Sequence, residues 1–194
     1  MKVQELGIEE MARHGATHRV VVTAADLNGT GTGYGALSAA SAAATSGTLT
    51  PFAQVAAGVQ LQFVHGFLKA AFVPVSITAL TLAIGYDLAS GTDKAAGFLA
   101  AISVLSTATP VAYFPQEIAD VDSSSVDGTY GTQESTAITT VIAAVNTLIK
   151  STRKAFSAAN TLQLAFAATS ANLTDLVGAG EVHLYFRLVD LNKV

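Results

Sequence analysis

Four histidines, at 14, 18, 65 and 183, are the only side chains here that ordinarily titrate near neutral pH. His14 and His18 stand four apart, the interval that puts two imidazoles on one helical face and lets them share a metal ion. Gly15 between them and the β-branched run Val20-Val21-Val22-Thr23 after them oppose a helix there. His65 and His183 have no partner in spacing, and His183 reads as a surface or interface residue on the polar side of a strand. Cysteine is absent, which excludes disulfides, thiolate metal sites and cysteine nucleophiles. Asp120, Asp122 and Asp127 are close enough to suggest a hard-cation loop. An EF-hand register that places Gly128 sixth and Glu134 twelfth must start at Ser123, with serine at its first and third places, so a solvated surface loop is the better reading.

The run Asn28-Gly29-Thr30-Gly31-Thr32-Gly33-Tyr34-Gly35 follows a β-branched segment, and Gly31, Gly33 and Ala36 satisfy the G-x-G-x-x-A spacing of a dinucleotide loop. That chemistry also needs an acidic residue roughly 20 positions on to hold the ribose. No Asp or Glu occurs between Asp26 and Asp87. A loop on a β protein is expected, and no cofactor. No nucleophile elbow, zinc-protease helix or phosphate loop stands in a credible context, and a glycosidase cleft is disfavoured by the lack of any Trp. The expectation is a protein that is not an enzyme and holds no metal.

The elements that would position these residues are strands. From Glu181, Val182, Leu184, Phe186 and Leu188 alternate with His183, Tyr185, Arg187 and Val189, the period of a strand with one face on a core. So apolar a strand should be paired deep inside a sheet. Leu162, Leu164 and Phe166 alternate in the same way, and Arg19 to Thr23 reads as a first strand. Ala56 to Gly85 carries alternation in three short runs, interrupted at Gly66 and Pro74; Pro74 belongs at a strand end or an edge. Short strands at this spacing point to a sandwich or barrel. Phe98, Leu99, Ile102 and Leu105 suit a short helical turn, and Ile138, Val141, Ile142, Val145, Leu148 and Ile149 mark Ser135 to Lys150 as a helix. Residues 1–16 read as an arm, with Val3, Leu6, Ile8 and Met11 as its apolar contacts, and 17–194 as a single domain.

At 194 residues the chain can bury a substantial core without staples. Three glutamates in the first ten residues do not match a signal peptide, so synthesis in a cytoplasm is expected. The longest apolar region, Phe63 to Tyr86, is too interrupted for a membrane span. Charged residues are 12% of the chain, about half the usual share. A monomer needs a charged surface to stay dispersed, whereas a subunit covered by other subunits does not, and this favours an obligate oligomer. A weakly polar surface of Ala, Gly, Ser and Thr is the alternative. A net charge of −4 with no basic run argues against nucleic acid.

The stretches Ala158 to Leu164, Ala171 to Leu176 and Gly180 to Leu191 resemble the C-terminal part of small virion proteins of tailed bacteriophages, with their apolar strand, N-L-x-x-L turn and G-E-V opening of the last strand. Leu80 to Asp87, with Gly97-Phe98-Leu99 after it, is similar to the central strand and loop of the same group. The resemblance spans about half the chain, 59–106 and 156–194; the arm and the 135–150 segment lie outside it. It implies a mainly β, jelly-roll-like antiparallel β-sandwich that assembles as a homotrimer. It also implies a capsid decoration or cement role against the major capsid protein on the virion exterior, or a place in a fibre, neck or tail. A rival reading is a receptor- or glycan-binding module, which would gather Tyr34, Tyr86, Tyr113 and Tyr130, all in expected loops, at one end of the sandwich.

Overall fold

A computed structural model describes residues 1–52, 54–88, 94–105, 112–113, 153–155 and 160–193. In chain order these form β1 (Lys2–Glu5), α1 (Ile8–His14), β2 (His18–Thr23), α2 (Ala24–Leu27), α3 (Ala39–Ala42), β3 (Ser46–Leu49), β4 (Val59–Ala70), β5 (Ala79–Leu88), β6 (Lys94–Ser103), β7 (Ala112–Tyr113), β8 (Arg153–Ala155), β9 (Asn160–Thr169) and β10 (Glu181–Asp190). The chain is mainly β, in two sheets whose strand pairs are all antiparallel. One sheet runs β1-β2-β10-β4, with β7 and β8 both on the far side of β4; the other runs β3-β9-β5-β6.

The alternation in the last strand is realised as read. Val182, Leu184 and Phe186 are wholly buried, and β10 lies between β2 and β4 with ladders on both sides. Its inner residues meet those of the opposite sheet: Phe63, Phe166, Phe186, Leu82, Ile84 and Leu164 are all buried to within 1% of completely. Phe63 and Phe186 pack with ring centroids 5.5 Å apart. Each such side chain contributes about 1.5–3 kcal/mol, and together they hold the two sheets face to face.

Several expectations are corrected. Residues 98–102 are strand, not helix. Phe98 and Leu99 are both buried although adjacent, because register shifts in the β5–β6 ladder at Ile84 break the period of two. Gly66 does not interrupt a strand. It sits inside the 12-residue β4, where a Cβ would come within 2.7 Å of Leu184 and 3.0 Å of the His183 carbonyl. The region of three short strands is therefore two long ones, β4 and β5. Pro74 does sit outside the strands, in an isolated bridge to Leu176. The first strand is β1, so part of the arm is an edge of the chain's own sheet. The 135–150 helix and the 120–134 loop lie outside the described residues. No described helix is long and apolar enough to cross a membrane.

Candidate functional site

One irregularity in β4 sets up the surface with the most titratable side chains among the described residues. Tyr185 pairs with His65 and Phe186 with Phe63, so Val64 is an extra residue on the β4 side. Leu61 and Phe63 face the core before it, and Gly66 and Leu68 after it. His65, Phe67 and Lys69 thereby share the outer face with Glu181, His183 and Tyr185 of β10. Across the sheet Gln4, Arg19, Tyr185 and His65 are register neighbours, as are Lys2, Val21, His183 and Phe67.

Helix α1 lies on this face and builds a second, smaller core there. Tyr185, Leu6 and Ala16 are buried together, with Met11, Val64 and Phe67 packed against them. His14, from the last turn of α1, stacks on Tyr185 at 4.3 Å between ring centroids, and His65 stacks on the same ring at 4.5 Å. The two imidazoles are 5.3 Å apart. Burial holds His65 below its ordinary 6.5, and the charge of His14 lowers it further. Beside them Arg19 donates to Gln4 Oε1 at 2.7 Å and stands 3.9 Å from Glu10 of α1.

His183, expected at the surface or at an interface, is not open to solvent in the single chain. It is 8% exposed, packs against Phe67 at 4.9 Å, and its Nε2 lies 2.5 Å from Glu181 Oε1. That hydrogen bond, reinforced by Lys69 at 3.2 Å, holds Glu181 below its ordinary 4.5. His183 Nδ1 is buried and has no hydrogen-bond partner among the described residues. His14 and His18 share no helix, since α1 ends at Gly15 in the left-handed conformation. His18 instead meets Phe52 edge-on and Thr17 Oγ1 at 2.8 Å, and burial holds it below 6.5 despite the opposing charge of Glu5.

The glycine run forms a different kind of site. It wraps the amino group of Met1, which makes a buried ion pair with Asp26 Oδ1. Burial lowers the amine from its usual 8.0. Asp26 Oδ2 accepts from Thr23 N–H at 2.8 Å and Thr23 Oγ1 at 2.7 Å, closing a capping box at the start of α2. A Cβ on Gly33 would lie 2.8 Å from the Met1 nitrogen, and one on Gly31 2.8 Å from the Ala25 carbonyl. The spacing that resembles a phosphate loop thus lets backbone close on backbone. An open cavity of about 410 Å³ lies between this loop, Met1 and Lys2.

The third feature is apolar. Val73, Val75 and Val177 are 48%, 71% and 65% exposed at one end of the sandwich. Their segments are tied together: Val177 N–H donates to the Val73 carbonyl at 3.1 Å, and Asp175 Oδ2 accepts from the backbone N–H groups of Val75, Ser76 and Ile77 at 3.0, 2.5 and 2.9 Å. Those donors, Ser76 first, hold Asp175 below its ordinary 3.8.

The other residues singled out in the sequence scatter. Leu6 is buried under α1 and Met11 beside it, Val3 packs against the main core, and Ile8 is 82% exposed. Tyr34 is 60% exposed on the glycine loop. Tyr86 is in β5, not a loop, and is buried edge-on against Phe98 at 5.5 Å. Tyr113 lies on β7 rather than in a loop, and Tyr130 lies outside the described residues. Among the described residues no three His, Asp or Glu side chains are placed to hold a metal ion. Comparison with protein-family models, with curated proteins and with solved structures finds no match.

Proposed function

We propose that this chain is a structural subunit of a tailed-bacteriophage virion, a capsid decoration protein that assembles as a homotrimer and, bound to the major capsid protein on the head exterior, stabilises the shell. The observation that carries the reading is the valine end. Three β-branched side chains stand in solvent on segments tied to one another, Val75 through the Asp175 carboxylate and Val73 and Val177 through backbone hydrogen bonds, in a chain with only 12% charged residues. An apolar surface that is pre-ordered loses little entropy on binding, which suits contact with another copy of the chain. Val3 and Leu6 are occupied within the chain's own fold; among the described residues the large apolar side chains left exposed are Val73, Val75 and Val177, with Ile8, Tyr34 and Leu191 elsewhere. Binding the assembled lattice and not free subunits would stabilise the shell by mass action.

Heads stripped of the protein should open at a lower temperature than complete ones, and adding it back should restore them. The triple variant Val73→Asp, Val75→Asp, Val177→Asp should fail to restore them. Stripped heads as heat-resistant as complete ones would end the proposal. The glycan-binding alternative loses Tyr86 to the core and keeps Tyr34 as its exposed tyrosine among the described side chains.

A further inference from the structure

We propose that residues 7–16 form a flap, latched over the outer face of the β1-β2-β10-β4 sheet by the stacked rings of His14, Tyr185 and His65, that acid opens. The segment is tethered at both ends. Leu6 N–H donates to the Thr17 carbonyl at 2.9 Å and Thr17 N–H to the Phe186 carbonyl at 2.8 Å, so its base is closed while the ten residues between make an excursion. Within it α1 is only seven residues long, too short to persist in water without its packing. Gly15 ends it at φ 65°, and a Cβ there or on Gly7 would meet nothing within 4 Å, so both ends have room to turn.

What holds the flap down is small: Met11 and Ala16 against Tyr185, Val64 and Phe67, the His14 ring on Tyr185, and Glu10 3.9 Å from Arg19. Among the described residues the charged and titratable groups around the stack come from four elements. Glu9, Glu10 and Arg13 lie on α1, Arg19 on β2, and Glu181, His183 and Arg187 on β10 beside Lys69 of β4. Glu10 already faces Arg19, and Glu181 already faces His183 and Lys69. A second proton on the pair sets two cations with ring centroids 5.3 Å apart at a partly desolvated position. Lifting α1 separates them and hydrates both. The sign follows from His65: its closed-state pKa lies below the ordinary 6.5, so the closed form is complete above 6.5 and loses ground as pH falls through the lowered value. Opening would uncover Tyr185, Phe67 and Val64 without dismantling the sandwich, whose main core lies on the other face of the sheet.

Amide hydrogen exchange on the full chain, corrected for intrinsic rates, tests this at pH 7.5 and 5.0. The amides of Met11 and Gly15, bonded to the carbonyls of Gly7 and Met11, should lose protection by up to about tenfold per pH unit below 6.5, while those of β10 keep theirs. The double variant His14→Phe, His65→Phe retains ring stacking without a titrating group and should stay protected at pH 5.0. Equal protection of α1 at both pH values in the parent chain would overturn the proposal. So would acid opening of the double variant to the same extent. The parent measurement stands alone if that variant does not fold.

Discussion

The glycine loop around Met1 and the ring stack under α1 both fasten the same twenty-odd N-terminal residues to the sandwich, by opposite means. In the first, backbone closes on backbone at distances that admit no side chain, around an ion pair buried with Asp26. In the second, three aromatic rings from three elements lie over one another on a face that water reaches at its margins. The first is rigid and fails when a single atom is added. The second should tolerate exchange of one ring for another and respond to a proton. One end of the segment is thus fixed, and the other is held by ring contacts that include His65, whose pKa burial lowers.

Substitutions can break that contrast, and the largest effect is expected at Asp26. Asp26→Ala leaves the Met1 amine without its carboxylate and Thr23 without its cap. It should cost about 3–5 kcal/mol, read as a lowered denaturant midpoint. Gly29→Ala comes next. At φ 82°, with a Cβ that would fall 2.6 Å from Ala39 Cα, it combines left-handed strain with overpacking, for about 2–4 kcal/mol in thermal unfolding. Asp175→Asn should act locally, raising the exchange rates of the Val75, Ser76 and Ile77 amides with little change in global unfolding. Because Asp175 titrates below its ordinary 3.8, its contribution is complete above that pH and lost as pH falls through the lowered value. Lys69→Ala removes an ion pair whose lysine is more than half exposed, and should change stability by only about 0.2–0.5 kcal/mol.

The two fastenings also differ in how far they can be read from sequence. Strands β5, β9 and β10 are legible because their inner residues alternate without interruption. Strand β6 is not, because the register shifts opposite Leu99 put two adjacent residues inside and mimic helical spacing. The glycines at 31 and 33 announce a close approach, but not that the partners are Ala25 and Met1. The ring stack left no trace in spacing: its members are 51 and 120 residues apart, and His65 reaches the outer face only through the extra residue at Val64. Three outward aromatic or imidazole positions at 65, 67 and 185 were the available signal, once β4 and β10 are paired.

The solution mass of the purified chain, by light scattering after size exclusion, bears most directly on its reading as a self-associating virion subunit. About three times 19.8 kDa is expected, falling to a single chain in the Val73→Asp, Val75→Asp, Val177→Asp variant. A parent chain that elutes at 19.8 kDa across all concentrations would contradict it.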